Sequence, residues 1–191
     1  MTEMNDFSKR EEQQEVPKQF FIGNAGLSLI SPWLQRLFIM VGYLDNDRKA
    51  FKDTESQIRA VFLLQYLTCL EEKEYQETEL VFNRLLVALP MHTPLPEQLD
   101  LTDEEKRIAE SLLNGVKSNW DKMRGSSMTA LLLNFILRKG QLEEQEEIWT
   151  LTVEDKALDI LLDSLPWFLG DIRFPWLKKY IQVNWHKRHM F

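Results

Sequence analysis

The sequence contains three histidines and one cysteine, the residue types that most often carry out chemistry at neutral pH. Two of the histidines enclose a basic pair in His186-Lys187-Arg188-His189, which could bind a metal or an anion. A zinc site needs three or four protein ligands, and no third ligand is close to this pair in the sequence. We therefore interpret residues 186–189 as a solvated basic tail.

His92 and Cys69 are the remaining candidates for a catalytic base and a nucleophile. His92 lies between two prolines, and a general base must reach the group that it deprotonates. The sequence identifies no such partner, and Cys69 falls in an apolar predicted helix, where a thiol is normally inert. We predict no catalytic residue, no cofactor, no metal and no enzymatic activity. The alternative, a small hydrolase, requires His92 to meet an acidic residue in a pocket.

Two further segments resemble ligand-binding loops. The acidic run Glu143–Glu147 lacks the glycine and the spaced oxygen ligands of a calcium loop, so we interpret it as the solvated tip of a hairpin. Gly23-Asn24-Ala25-Gly26 lacks the Gly-Lys-Ser/Thr ending of a phosphate-binding loop. We predict a structural turn there, with Asn24 or Gly26 at positive φ because both residue types tolerate that conformation.

Composition excludes several functional classes. The net charge of −7 argues against nucleic acid as a partner, since nucleic-acid-binding proteins present a basic face. The single cysteine excludes an intrachain disulfide. No apolar run approaches the roughly 18 residues of a membrane-spanning helix, and residues 1–16 lack the apolar centre of a secretory signal. We expect a cytoplasmic location and no membrane partner.

The elements that must position these residues are mainly helical. Two capping-box patterns, Thr54-x-x-Gln57 and Thr102-x-x-Glu105, predict helix starts. Ser31-Pro32 predicts a third start, with Ser31 as the N-cap and Gly42 near the C-terminal end. The predicted helices cover about residues 31–41, 54–71, 78–89, 102–121, 128–138 and 154–164.

Alternating apolar residues predict a small sheet. A strand is expected at 19–22, a hairpin at 141–143 and 148–153, and a last strand at 180–185. The fold class is therefore α+β, mainly α-helical, with about six helices, a small β-hairpin and short terminal strands. We expect a disordered tail at 1–17, a single globular domain at 18–186 and a frayed tail at 187–191.

Several aromatic residues lie in irregular or helix-starting segments where a ring can anchor a partner protein. Trp167 and Trp176 are flanked by prolines, and aromatic residues are frequent at binding hot spots. We predict contact surfaces at Asn24–Leu34 and Leu165–Trp176. The candidate partner-binding residues are Trp33, Trp167, Phe168, Phe174 and Trp176.

Six motifs occur in order between residues 19 and 185. Asn24–Leu34 reads Asn-Ala-Gly-Leu-Ser-Leu-Ile-Ser-Pro-Trp-Leu, and Ala60–Leu67 reads Ala-Val-Phe-Leu-Leu-Gln-Tyr-Leu. They resemble Asn-Ala-Gly-Leu-x-Leu-Leu-x-Pro-x-Leu and Ala-Val-x-Leu-Leu-Gln-Tyr-Leu of the tape-measure proteins of contractile injection systems. The other motifs similar to that family are Glu79–Leu86, Leu101–Glu105, Phe135–Leu142 and Leu165–Trp176.

The resemblance implies a non-enzymatic assembly role in setting the tube length of a phage-tail-like particle. The implied partners are tube, baseplate or other particle proteins, and a protein made in the cytoplasm can be incorporated into such a particle. The chain resembles only the C-terminal segment of family members, which are usually longer. A compact 191-residue domain has a radius of gyration of roughly 16 Å, so it is a poor ruler. We expect a terminal docking module or a stand-alone relative; the alternative is an adaptor or chaperone unrelated to particles.

Overall fold

The fold of the computed structural model, which describes residues 18–186, is α+β and mainly helical, as the sequence predicted. The predictions for 1–17 and 187–191 lie outside the described residues. Short 3-10 helices connect the main elements at Ala25–Ser28, Glu77–Leu80 and Ala157–Ser164. The other helices are α1 (Ser31–Met40), α2 (Thr54–Cys69), α3 (Val81–Leu86), α4 (Asp103–Asn119), α5 (Asp121–Arg124), α6 (Met128–Leu131) and a π-helix (Leu132–Ile136).

Four strands form one sheet in the order β1-β2-β3-β4, with β1 at Gln19–Ile22, β2 at Gly140–Glu144, β3 at Ile148–Val153 and β4 at Tyr180–Asn184. The first three strands are antiparallel, and β4 is parallel to β3. The predicted strands and hairpin are therefore confirmed. One face of the sheet is covered by the helices and the other faces solvent, which explains the alternating pattern. The buried face carries Ile22, Leu142, Trp149, Leu151, Val153 and Ile181.

The long helices begin at different caps. The predicted capping box of α4 is confirmed, since the Glu105 amide donates to Thr102 Oγ1 at 3.1 Å and the Thr102 amide donates to Glu105 Oε2 at 2.8 Å. The capping box predicted for α2 is wrong, because Asp53 takes the N-cap position and its Oδ1 accepts from the Ser56 amide at 2.7 Å. A carboxylate at this position also stabilises the positive end of the helix.

Helix α1 starts and ends near the predicted residues. Ser31 is its first helical residue and not its N-cap, which is Ile30. Gly42 follows the helix with a φ of +75°, the left-handed conformation that commonly terminates helices.

Three predicted helices are shorter or of another type. The segment 78–89 divides into a 3-10 turn and the six residues of α3, and 154–164 forms only the 3-10 helix Ala157–Ser164. In the segment 128–138, the Leu137 amide donates to the Leu132 carbonyl, five residues back, so the helix widens into a π-turn. Side-chain donors compete for its carbonyls: Asn134 Nδ2 donates to the Ala130 oxygen at 2.8 Å.

Candidate partner-binding surface

Asn24 is a buried structural residue and not a turn residue at positive φ. Its φ is −127°, so that part of the prediction is wrong. The side chain is 3% exposed, and Nδ2 donates to Gln65 Oε1 at 3.1 Å and to Asn83 Oδ1 at 2.7 Å. Asn24 therefore joins the connection after β1 to α2 and α3 through hydrogen bonds that the low-dielectric core strengthens.

Gly26 is required by space and not by positive φ. It lies in the 3-10 helix Ala25–Ser28, and the glycine at positive φ in the described chain is Gly42. A Cβ atom on Gly26 would lie 1.8 Å from the Phe135 carbonyl oxygen of the π-helix. Residues 24–30 are all buried, so the first half of the contact surface predicted at Asn24–Leu34 is interior.

Trp167 anchors the irregular segment between the 3-10 helix Ala157–Ser164 and β4. Its indole Nε1 donates to the Leu29 carbonyl at 3.0 Å, and its ring meets the Trp33 ring edge-on with centroids 4.4 Å apart. Both rings are half-buried. These two predicted partner anchors therefore make contacts within the chain and fix this segment against the start of α1.

Trp176 anchors the same segment further along. Its indole Nε1 donates to the Leu86 carbonyl at 2.9 Å. The ring packs against Phe38 and Phe51, with centroids 6.0 and 5.2 Å away, and stacks on Phe174 at 4.7 Å. Trp176 and Phe174 are half-buried and belong to an aromatic cluster at the edge of the core.

Phe168 differs from the other four predicted residues because its side chain is 82% exposed. It lines a cleft of about 460 Å³ whose walls combine apolar side chains with exposed polar atoms. At the rim, His186 Nε2 and Asp163 Oδ1 are 3.1 Å apart. The cleft is lined by Leu162, Asp163, Leu165, Pro166, Trp167, Phe168, Leu169, Trp185 and His186.

A buried ion pair that the sequence analysis missed is linked to the cleft through Trp185, one of the lining residues. Arg138 and Asp159 are 0% and 1% exposed, and two guanidinium nitrogens donate to the carboxylate at 2.8 and 2.9 Å. The Trp185 indole donates to Asp159 Oδ2 at 3.1 Å. Burial opposes ionisation, but these donors hold the pKa of the Asp159 carboxyl below its usual value. The only sequence signal was an arginine directly after the apolar residues Phe135–Leu137.

The other residues considered for chemistry are dispersed. His92 is exposed in the connector after α3, and Cys69 is half-buried with its Sγ 3.4 Å from the Tyr75 hydroxyl. Within residues 18–186, no group of three or more His, Cys, Asp or Glu side chains could hold a metal ion. Within the same range, no helix has the length and apolar composition needed to cross a membrane. His189 lies outside the described residues.

Comparison with known proteins gives one match. No curated protein and no solved structure matches this chain. A family model described as contractile injection system tape measure protein matches residues 2–185 of the 191 residues. This range contains all six motifs and every residue that lines the cleft except His186. The chain therefore belongs to the contractile injection system tape measure protein family.

Proposed function

We propose that this chain is a non-enzymatic assembly component of a contractile injection particle and docks onto a tube or baseplate protein through the surface around Phe168. The observation that carries the proposal is a large ring, 82% exposed, at a cleft of about 460 Å³ that presents both apolar and polar groups. An exposed aromatic ring next to a concave surface fits a binding hot spot, in which a ring is buried on association.

The segment that presents Phe168 is held in place before any partner arrives. The neighbouring residue Trp167 donates a hydrogen bond to the Leu29 carbonyl and packs against Trp33. Because the backbone on one side of Phe168 is already fixed, association costs less conformational entropy than it would for a free loop. This supports a docking surface with Phe168 as its protruding residue and the cleft as a receptor for a partner side chain.

We propose that this chain docks onto another particle protein and does not itself measure the length of the tube. The longest helix within residues 18–186, α4, has 17 residues and spans only about 25 Å at 1.5 Å per residue. An extended ruler would need a much longer continuous element. The domain described here fits the attachment of a ruler, or of a shorter relative, to one end of the tube.

The experiment compares Phe168→Ala with Leu133→Ala. Leu133 is a suitable control because it is 58% exposed and does not line the cleft. Each variant is tested for co-purification with tube and baseplate proteins of the same particle, with circular dichroism as the measure of folding. A hot spot is worth about 2 kcal/mol, so Phe168→Ala should weaken binding roughly 30-fold and Leu133→Ala should bind normally.

Two results would argue against this role. Equal binding by Phe168→Ala and the wild-type chain would place the docking surface elsewhere. Mass spectrometry of purified particles tests the role independently, since an assembly component that stays in the particle should be detected in a fixed ratio to tube protein. Binding to particle proteins without incorporation would instead favour the chaperone or adaptor alternative.

A further inference from the structure

Within the described part of the chain, the outer edge of β1 has backbone hydrogen-bonding groups without a partner. The Glu144 amide donates to the Lys18 carbonyl at 2.9 Å, so Lys18 and Glu144 form a hydrogen-bonded pair of the ladder. Phe20 and Leu142 are the pair two residues further along the same strands. Hydrogen-bonded pairs alternate along an antiparallel ladder, so Phe20 and Ile22 direct their backbone groups toward β2. The N–H and C=O groups of the alternate residues, Gln19 and Phe21, therefore point away from the sheet.

The opposite edge of the sheet is paired at Ile181 of β4. The Ile172 amide donates to the Ile181 carbonyl at 2.8 Å, and the Ile181 amide donates back at 3.0 Å, so the segment before β4 protects that strand at this residue. Within residues 18–186, no such bridge covers β1. Phe21 on this edge is 78% exposed. An uncovered edge strand with an exposed aromatic residue is a template for pairing with another strand.

We propose that β1 pairs with β1 of a second copy of this chain, antiparallel and around a two-fold axis at Phe20. In that register Gln19 lies opposite Phe21 of the second copy, and Phe21 lies opposite its Gln19. Both pairs are hydrogen-bonded because their backbone groups face outward, and a two-fold axis makes one strand complementary to itself. The result is a continuous eight-stranded sheet. This inference is independent of the role proposed for Phe168.

Charge makes a second copy a suitable occupant of this edge. The chain has a net charge of −7, yet the four residues of β1 carry no charge. The nearest acidic neighbour on the solvent face is Glu143 on β2, opposite Gln19. Across the proposed axis the two Glu143 residues are separated by at least three strand spacings, about 14 Å. That distance exceeds the Debye length of about 8 Å at physiological salt, so the copies meet without strong repulsion.

The pairing should be weak, because a four-residue strand buries far less than the roughly 1,600 Å² of a standard interface. The first experiment is therefore sedimentation velocity of the 191-residue chain from about 10 µM to about 1 mM, the range of weak association. The wild-type chain should show a monomer–dimer equilibrium. Phe21→Pro removes an outward N–H and should raise the dimer dissociation constant at least tenfold, whereas Phe21→Ala keeps that N–H and should still dimerise.

Circular dichroism and urea unfolding establish that both variants fold; proline is tolerated at edge positions whose N–H faces solvent. A wild-type chain that stays monomeric at about 1 mM overturns the proposal, and so does a folded Phe21→Pro variant that dimerises normally.

Cross-linking tests the register without relying on Phe21→Pro. In a Cys69→Ser background, Gln19→Cys and Phe21→Cys chains are mixed and oxidised. Opposite residues in a hydrogen-bonded pair have Cα atoms about 5.5 Å apart, within the range for a disulfide. The mixed disulfide dimer should form fastest. Thr152→Cys, exposed on the same face but on β3, should cross-link poorly with Phe21→Cys. The proposal is overturned if Phe21→Cys cross-links equally well with Gln19→Cys and with Thr152→Cys. It is also overturned if Phe21→Cys and Gln19→Cys do not cross-link.

Discussion

Gly26 and Gly23 belong to the same connection after β1 but differ in the space around them. A Cβ atom on Gly26 would overlap the Phe135 carbonyl oxygen and lie 2.4 Å from the Ile136 Cα atom, whereas a Cβ atom on Gly23 would meet nothing within 4 Å. The obstacle at Gly26 is backbone, which cannot move aside as a flexible side chain can. A single methyl group is therefore enough to force the Ala25–Ser28 turn away from the π-helix.

We expect Gly26→Ala to lower the free energy of unfolding by about 1–3 kcal/mol or more, the usual cost of overpacking. Gly23→Ala should change it by less than about 0.5 kcal/mol. Urea unfolding followed by tryptophan fluorescence measures both values. Similar stabilities for the two variants would show that the close approach of Gly26 to the π-helix does not determine the fold.

At the scale of elements, the segment between the 3-10 helix Ala157–Ser164 and β4 is held by two indole N–H groups, those of Trp167 and Trp176. Trp176→Phe keeps an aromatic ring in the cluster but leaves the Leu86 carbonyl without this donor. We expect a loss of about 1–3 kcal/mol in stability and faster hydrogen–deuterium exchange at residues 170–179.

Trp33→Phe is the matched control for this prediction. Trp33 is also half-buried, but its indole N–H donates no hydrogen bond within residues 18–186. Exchange at residues 170–179 should stay at the wild-type rate in this variant. If Trp176→Phe exchanges no faster than Trp33→Phe, packing and not the hydrogen bond holds the segment.

The sequence predicted well the elements that depend on residues close to one another in the chain. The hairpin β2–β3 follows from alternating apolar residues, and the Thr102–Glu105 capping box follows from a spacing of three residues. The predictions at 78–89, 128–138 and 154–164 had the right segments but wrong helix types or lengths. Side-chain hydrogen bonds such as Asn134 to Ala130 change helix geometry, and apolar periodicity does not contain that information.

The partner-binding residues were harder to predict because ring orientation depends on distant parts of the chain. Proline flanks correctly indicated an irregular segment at 165–176. The groups that turn Trp167 and Trp176 inward, however, are carbonyls 138 and 90 residues away in the sequence. Nothing near Phe168 in the sequence distinguishes it from these two residues. The Arg138–Asp159 pair was missed for the same reason, since its partners are 21 residues apart.

At the scale of the whole molecule, Glu105 connects α4 to α2 and to the loop after α1. It accepts hydrogen bonds from Tyr43 at 2.6 Å and from Arg59 Nε at 2.8 Å. Burial favours the neutral carboxyl, but hydrogen bonds from Arg59, Tyr43 and Thr102 outweigh it and lower the pKa of Glu105 to about 2. In the unfolded chain the pKa returns to the ordinary value of about 4.5.

Glu105 therefore stabilises the fold above about pH 4.5, and this stabilisation is lost as the pH falls toward 2. We expect the wild-type chain to lose about 2 kcal/mol more than Glu105→Gln between pH 6 and about pH 2.5. The measurement is urea unfolding across this range. Glu104→Gln is the control, because Glu104 pairs with Arg107 on the exposed side of the same helix. Parallel pH profiles for the wild-type chain and Glu105→Gln would contradict the assignment.

The position of β1 in the chain also has a consequence for synthesis on the ribosome. Gln19 pairs with Glu143, 124 residues later. At about 5–20 residues per second, the chain needs roughly 6–25 s to make the partner strand after β1 has been translated. During this time β1 lacks its native neighbour and must avoid pairing with strands of other nascent chains. The hairpin β2–β3 forms from local contacts, so β1 is expected to join an existing sheet late in folding, as its completing strand.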